Sequence, residues 1–236
     1  MNNYNDKDKA FLKGSDFSSA YTLGMQNVSE LRTRLDYIRE LFSNKRVLHF
    51  GCVDHLPLIE KKRGKGQWFH EEIYKVAELC YGVDINKEGI DFLNKEGFAS
   101  FVLDVENDPI PDQIKKENWD YIFLGEILEH IDNPVYFLNM VRTKFEGNAN
   151  QVIISVPNAL TLSNFLNAFR KKEIINSDHR FWFTPYTLGK VVTESGFVAS
   201  SFDTCQGEIA HATWYKSMIL KRFPLLRDKI ILKAHF

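Results

Sequence analysis

The stretch of sequence that decides the fold class reads Trp119-Asp120-Tyr121-Ile122-Phe123-Leu124-Gly125-Glu126-Ile127-Leu128-Glu129-His130-Ile131-Asp132-Asn133-Pro134. Its β-branched and aromatic opening is typical of a buried parallel strand. Gly125 ends this run, and Glu, His and Asp side chains follow before Pro134, which suits the first turn of a helix. The stretch therefore predicts a strand that delivers polar groups to the carboxyl edge of a parallel sheet, where open α/β sheets bind ligands.

The rest of the chain alternates strand and helix around this stretch. Apolar runs predict further strands at 46–50, 80–86, 98–103, 151–156, 197–203 and 229–233. Helical spacing and capping residues predict helices at 28–43, 70–79, 87–96, 185–195 and 212–223, and another from Pro134 onward. We expect an α/β fold in a single domain over residues 1–236, with a loose N-terminal arm at 1–20, an N-terminal helix within 21–45 and an insertion at 158–183.

Composition limits the function classes. The 236 residues carry 30 Lys and Arg against 31 Asp and Glu, so no overall field attracts nucleic acid, which is not expected as a partner. The three cysteines Cys52, Cys80 and Cys205 are widely spaced, which fits neither a disulfide framework nor a structural zinc site. We expect no metal, a cytoplasmic location and no stable membrane insertion, because no apolar run approaches the roughly 18 residues needed to span a bilayer. The composition is also compatible with a homodimer.

Two segments carry candidate binding groups. Gly51 ends the strand at 46–50 with a sharp turn, within His49-Phe-Gly-Cys-Val-Asp-His55. Between Leu56 and Gln67 the chain carries a basic cluster of Lys61, Lys62, Arg63 and Lys65. This cluster is either a solvated surface loop or a mobile basic loop that meets an anionic substrate, such as a phosphate-bearing or acidic sugar.

The central stretch resembles the fourth-strand segment of class I S-adenosylmethionine-dependent methyltransferases, in which an Asp begins the strand and a Glu-x-Leu-Glu-His run ends it. Further matches follow in chain order, at Gly51, Asp84, Asp104, Val156-Pro157-Asn158 and the His-x-x-x-Phe-Thr pattern of His179, Phe183 and Thr184. The chain departs from the family at its glycine loop. His49 stands where an acid is expected, and Val53 and His55 stand where later glycines are expected.

The resemblance implies a Rossmann-like, doubly wound, mostly parallel seven-stranded sheet with an antiparallel last strand, which we place at the sheet edge. It also implies that residues 158–183 form a substrate lid and that the cofactor is S-adenosyl-L-methionine. Asp84 is expected to accept both ribose hydroxyl protons, and Asp104 to lie near the adenine amino group. The full set of expected cofactor-binding residues is Gly51, Cys52, Asp84, Ile85, Asp104, Val105, Gly125 and Glu126.

Methyl transfer to a hydroxyl requires an aligned acceptor and removal of its proton. His130 and His179 are the candidate catalytic bases, although each could be a structural histidine. The candidate substrate-binding residues are Lys61, Arg63, Glu129 and Arg180. The expected function is O-methylation of a small molecule or of a sugar or polysaccharide precursor.

Three alternatives remain at this point. The atypical glycine loop fits a catalytically silent methyltransferase-like binding subunit. A nicotinamide-dependent oxidoreductase is a weaker alternative, because the chain lacks two glycines of the Gly-x-Gly-x-x-Gly pattern that seats a pyrophosphate. Separately, Lys216, Lys221, Arg222 and Arg227 could place the helix at 212–223 on a membrane surface.

Overall fold

The computed structural model describes residues 1–25, 30–54, 56–207 and 214–236. Its strands are β1 (Asn2–Asn3), β2 (Arg46–Phe50), β3 (Leu79–Asp84), β4 (Ser100–Val102), β5 (Trp119–Gly125), β6 (Ala149–Pro157), β7 (Val198–Cys205) and β8 (Lys229–His235). Its helices are α1 (Asp6–Lys13), α2 (Arg34–Phe42), α3 (Leu56–Arg63), α4 (Phe69–Val76), α5 (Lys87–Lys95), α6 (Asp112–Lys115), α7 (Pro134–Phe145), α8 (Leu162–Phe169), α9 (Pro185–Glu194) and α10 (Trp214–Arg222). Short 3₁₀ turns cover Leu128–His130 and Pro224–Leu226.

The strands form one sheet in the order β1-β7-β8-β6-β5-β2-β3-β4. The five strands from β4 to β6 pair in parallel, whereas β8 is antiparallel to both β6 and β7. The Rossmann-like, mostly parallel expectation is confirmed, with one strand more than the seven predicted. The position of the last strand is corrected, because β8 lies inside the sheet rather than at its edge. Its Ile230, Ile231 and Leu232 are fully buried.

Helices cover both faces of this sheet. Alternate residues along the strands contribute to two hydrophobic clusters, with Leu48 and Ile122 in one and Val47 and Phe123 in the other. The first cluster includes side chains from α1, α7 and α9, and the second includes side chains from α2 and α4. This period-two alternation is what a doubly wound sheet requires. It leaves the carboxyl ends of the parallel strands together at one edge.

The N-terminal arm is the main departure from the predicted organisation. Residues 1–20 were expected to be loose, but β1 pairs with β7 and α1 packs against α9. A capping box between Asn5 and Asp8 starts α1, and the buried Tyr4 donates its hydroxyl to the Pro185 carbonyl at 2.7 Å. The Asn-x-x-Asp capping signal was present in the sequence, and the burial of Tyr4 depends on a partner far along the chain.

Two further segments differ from expectation. Helix α2 begins at Arg34, with the Thr33 hydroxyl accepting from the Asp36 amide. The predicted start at residue 28 lies outside the described residues. The expanded turn at 56–67, predicted as a loop, forms α3. Within the part of the chain that the structure describes, no helix is long and apolar enough to cross a membrane.

Candidate active site

A cavity of about 890 Å³ lies at the carboxyl edge of the sheet, as predicted from the central stretch. It is bounded by the turns after β2 and β5, by the segment that leads into α4, by the insertion after β6 and by the start of β8. Residues that line it include Arg34, His49, Gly51, Cys52, Lys62, Trp68, His70, Asn86, Gly125, Glu126, His130, Asn176, Asp178 and Lys229. Most of these side chains are polar or aromatic.

The turn after β2 forms one wall of the cavity. Gly51 adopts φ 66°, in the left-handed region, and a Cβ atom there would lie 3.0 Å from the Ile127 side chain. The neighbouring Asp84 carboxylate is held by backbone donors, since Oδ2 accepts the Val53 amide at 3.0 Å and Oδ1 accepts the Asn86 amide at 2.9 Å. These hydrogen bonds lower the pKa of Asp84, but burial outweighs them and raises it. Asp84 therefore ties together the two turns of this wall.

A buried histidine pair forms part of the same wall. His49, which occupies the position of the family's acidic residue, places its Nδ1 atom 3.2 Å from Nδ1 of His70. His49 also stacks on Phe123, and Trp68 and Phe98 lie around His70. Burial lowers the pKa of both imidazoles, that of His70 to about 4. The pair is therefore neutral at pH 7, with one ring donating to the other.

Glu126 lies where β5 ends, in a backbone conformation that side chains rarely adopt. Its φ of 60° lies in the left-handed region, and its amide donates to the Ser155 carbonyl at 2.8 Å. The carboxylate forms ion pairs with Arg34, at 2.9 Å, and with Lys229. Burial alone would raise the pKa of Glu126, but these two cations outweigh it and lower that pKa. Such local strain is typical of functional sites.

Glu129, His130 and His179 form a compact cluster beside Glu126. Their potential ligand atoms all lie within 4.8 Å of one another, and Nε2 of His179 is 4.0 Å from Oε1 of Glu129. The Glu129 side chain is 0% exposed, and within the described residues neither of its carboxylate oxygens has a hydrogen-bond partner. Burial, followed by the charge of Glu126, raises the pKa of Glu129 to about 8. Burial, followed by the nearby His130, lowers the pKa of His179.

The insertion after β6 is anchored to this cluster. The amides of Arg180 and Phe181 donate to the Glu129 carbonyl, and Nδ1 of His130 lies 3.1 Å from the Asp178 carbonyl. A carbonyl only accepts, so Nδ1 of His130 carries the proton and Nε2 has the free lone pair. The Arg180 side chain pairs with Asp132 at 2.5 Å and is not among the cavity-lining residues.

The structure brings only part of the predicted site together. Gly51, Cys52, Gly125, Glu126 and His130 line the cavity, while Glu129 and His179 contact that lining from behind. The remaining predicted residues do not line the cavity. Asp84 is held by backbone amides, Asp104 lies in a turn with Glu106 and Asn107, Ile85 is exposed and Val105 lies in the core. Lys61 lies on the surface, and Arg63 forms ion pairs with Glu71 and Glu96.

Several cavity residues were missed by sequence reasoning. Arg34 and Lys229 both pair with Glu126, and Arg34 also lies over the Phe69 ring at 3.9 Å. Lys229 was predicted only as a flank of an edge strand. The position of Lys229 beside the end of β6 could have been inferred if β8 had been placed inside the sheet. The sequence around Arg34 contains no motif that indicates a role in the site.

The cavity suits a ligand of the size of S-adenosylmethionine, since ligand pockets typically span about 300–1,000 Å³. The close approach of the Gly51 turn leaves room for a ligand against the backbone. Asn86 and Glu126 offer polar side chains, and Trp68 and Phe69 offer aromatic ones. These residues would hold the cofactor.

Comparison with known proteins shows the family of the chain. Residues 24–201 match the model of a family described as a methyltransferase domain. No curated protein matches the chain.

Solved structures share the fold at low sequence identity. One is an S-adenosylmethionine-dependent methyltransferase of Thermotoga maritima, a possible histamine N-methyltransferase, with 12% identity, a TM-score of 0.55 and coverage of 85% of this chain and 86% of that one. Another is the small RNA methyltransferase HEN1, with 15% identity, a TM-score of 0.56 and coverage of 92% of this chain but only 27% of that one. A Bacillus halodurans protein described as a possible methyltransferase has 14% identity, a TM-score of 0.51 and coverage of 86% of this chain and 98% of that one.

The family match extends over well more than half of the chain and spans the Gly51 turn, β5 and the Glu126 to His130 run. It also agrees with the observed sheet order. On these grounds the chain belongs to the S-adenosylmethionine-dependent class I methyltransferases.

Proposed function

We propose that this protein transfers the methyl group of S-adenosylmethionine to a hydroxyl oxygen of a small molecule, a sugar or a polysaccharide precursor. The observation that carries the proposal is the Glu129–His130–His179 cluster, of which His130 lines the cavity. The cofactor supplies a methyl group activated on a sulfonium. The protein has to align the acceptor and remove one proton.

His130 and His179 fit the proton-accepting role. Nε2 of His130 has a free lone pair, since Nδ1 donates to the Asp178 carbonyl. The lowered pKa of His179 keeps that ring neutral at pH 7. As the oxygen–carbon bond forms and the sulfur–carbon bond breaks, the hydroxyl proton passes to an imidazole, and S-adenosylhomocysteine and the methyl ether leave.

A sugar-like acceptor is favoured by the cavity lining. Asn176, Asp178 and His130 line the cavity and can hydrogen-bond several hydroxyl groups of one acceptor. Lys62 lines the cavity and pairs with Asp54, so an anionic group on the acceptor would have one cation within reach. Lys61 and Arg63, expected to serve this role, point elsewhere.

The test is titration calorimetry followed by a methyl-transfer assay. We expect S-adenosylmethionine and S-adenosylhomocysteine to bind and NAD not to bind. Methyl transfer is then measured on nucleotide-activated sugars, on free polyhydroxyl compounds and, because one structural neighbour is named as a small RNA methyltransferase, on an RNA oligonucleotide. Cofactor binding without transfer to any member of the panel would favour the silent binding subunit, and transfer to RNA alone would contradict the acceptor class.

A further inference from the structure

The cluster of Glu129, His130 and His179 is unusual because its carboxylate lacks a cation. Its neighbour Glu126 has two, Arg34 and Lys229. Among the described residues no Lys or Arg lies within ion-pair distance of Glu129, and the nearest basic group is His179 at 4.0 Å. A fully buried carboxylate with both oxygens unpartnered is costly unless it is neutralised or coordinates a metal.

The two histidines complete a ligand set around that carboxylate. His130 has its Nε2 lone pair free because Nδ1 donates to a carbonyl, which is the arrangement that commonly fixes a metal-bound histidine. His179 presents Nε2 toward Oε1 of Glu129. Ligand atoms bound about 2.1 Å from one ion lie about 3–3.5 Å apart, so the separations in this cluster, which reach 4.8 Å, would have to shorten by up to about 1.3–1.8 Å.

We propose that Glu129, His130 and His179 bind one first-row divalent ion, such as Mn²⁺, Co²⁺, Fe²⁺ or Zn²⁺, with its remaining positions open to the cavity. Two imidazoles with one carboxylate favour these ions over Mg²⁺ or Ca²⁺, which prefer oxygen ligands. An ion there would bind the acceptor hydroxyl and lower its pKa. This inference deepens the proposed function and rests on it for the role of the ion, whereas the sequence predicted no metal. With the ion bound, the Nε2 atoms of His130 and His179 would be its ligands, so the acidified hydroxyl would lose its proton to solvent rather than to an imidazole.

The experiment measures metal binding directly, without cofactor or acceptor. Metal-free protein is titrated with Mn²⁺, followed by electron paramagnetic resonance, and with Co²⁺, followed by visible absorption. We expect one ion per chain and a rise in the unfolding temperature. Glu129→Gln, His130→Ala and His179→Ala should each weaken binding at least about tenfold, the factor that corresponds to 1.4 kcal/mol.

The control is His235→Ala, which removes an exposed histidine at the end of β8 and should leave the titration unchanged. Circular dichroism of each variant shows whether it is folded. Absence of saturable binding, or equal binding by folded Glu129→Gln protein, would overturn the proposal. If methyl transfer proceeds in metal-free protein, the proposed function stands and the proposed role of the ion is wrong. If the wild type does not bind S-adenosylmethionine, the proposed function itself is contradicted.

A separate surface carries a second inference. Helices α8 and α10 expose large apolar side chains, among them Phe169 at 74% and Trp214 at 77%, and Phe165 and Met218 are also more than half exposed. Phe223, directly after α10, is exposed as well. No residue of α8 is buried. Aromatic side chains on two helices form the kind of exposed apolar surface that marks an interaction site.

Topology and charge indicate what this surface meets. α8 follows the carboxyl end of β6, and α10 lies between the carboxyl end of β7 and the start of β8, so both helices stand at the edge that holds the cavity. Each helix ends in cations, Arg170 to Lys172 after α8 and Lys221 and Arg222 in α10. This local excess contrasts with a net charge of −1 for the chain.

We infer that the α8 and α10 surface binds the interface of an anionic membrane, which would bring a membrane-attached acceptor to the cavity. α8 carries its apolar side chains on one face, and α10 adds the exposed Trp214 and Met218 beside Lys221 and Arg222, a combination that binds anionic lipid surfaces. The apolar residues would enter the headgroup region without spanning the bilayer, and the cations would remain among the lipid phosphates.

Vesicle sedimentation tests this inference. We expect the full chain to sediment with vesicles of mixed phosphatidylcholine and phosphatidylserine, less so at high salt and weakly with phosphatidylcholine alone. Phe169→Ser with Trp214→Ser should abolish sedimentation, and Phe17→Ser, which changes an equally exposed aromatic residue of the N-terminal segment, should not. No sedimentation at low salt, or dimerisation of the wild type that the double variant abolishes, would overturn it.

Discussion

The two walls of the cavity differ in how their polar groups are partnered. On the wall after β2 and β3, His49 and His70 contact each other, and each Asp84 oxygen accepts a backbone amide. On the wall after β5, Glu129 has no hydrogen-bond partner for its carboxylate among the described residues. The Asp84 carboxylate of the first wall is therefore a structural support, whereas the Glu129 carboxylate of the second is available for ligands and protons.

The difference also appears in the surroundings of the two histidine pairs. His49 and His70 lie among aromatic rings and are fully buried. His130 and His179 lie nearly edge to face, with ring centroids 4.7 Å apart, and retain some exposure beside the cavity. Partial exposure therefore separates the second pair from the first, although His49 and His70 also line the cavity.

The largest expected effect separates the two walls by activity. His130→Ala and His179→Ala remove a proton acceptor, and at least one of them should lower turnover by about 10²–10⁴-fold. Calorimetry should show nearly unchanged S-adenosylmethionine affinity, because neither side chain belongs to the Gly51 wall. Near-full turnover in both variants would place the base elsewhere and remove the functional contrast; His235→Ala serves as the matched control.

The second prediction concerns the two carboxylates. Asp84→Ala leaves the amides of Val53 and Asn86 without their charged acceptor, at about 1.5–3 kcal/mol per bond. Both the free energy of unfolding and the cofactor affinity should fall, as measured by urea denaturation and calorimetry, while Asp91→Ala on the exposed side of α5 should change neither.

Glu129→Gln in the metal-free protein is the opposite case. It removes a buried carboxylate that forms no hydrogen bond to the described residues, so stability at neutral pH should stay the same or rise. Equal destabilisation by the Asp84 and Glu129 changes would contradict the distinction between the walls.

The third prediction is a pH dependence of stability from the His49 and His70 pair. In the unfolded chain both rings take up protons near pH 6.5. In the folded protein burial lowers both pKa values, that of His70 to about 4, so the folded state resists protonation. The free energy of unfolding should therefore fall as the pH drops from about 6.5 toward 4.

The double variant His49→Gln with His70→Gln cannot take up these protons. Denaturation at several pH values should show a flatter profile for it than for the wild type. An identical slope in both proteins would show that other groups cause the acid sensitivity.

The smallest expected effect concerns the basic segment that was predicted to bind substrate. Arg63 pairs with Glu71 and Glu96 and lies 5.0 Å from the centre of the Trp68 ring, so Arg63→Ala should cost about 1 kcal/mol of stability. The Michaelis constant for the acceptor should not change. Lys61→Ala is the matched control and should alter neither quantity, whereas a raised Michaelis constant in either variant would restore the original expectation.

Local patterns in the sequence determined the alternation of strands and helices, the carboxyl-edge site and the Glu126 to His130 run. These features depend on neighbours within a few residues, which hydrophobic periodicity and turn chemistry report directly. The family resemblance added the cofactor and the match of His179, Phe183 and Thr184 to a family pattern.

Only the tertiary structure decided which distant groups meet. Arg34 and Lys229 neutralise Glu126 because α2 and β8 converge on the end of β5, and the same convergence leaves Glu129 without a cation. His70 was predicted only to open a helix, and the packing of α4 against the sheet turned it toward His49. Partner choice, burial and the resulting pKa shifts arise from long-range packing, and no local spacing in the sequence encodes them.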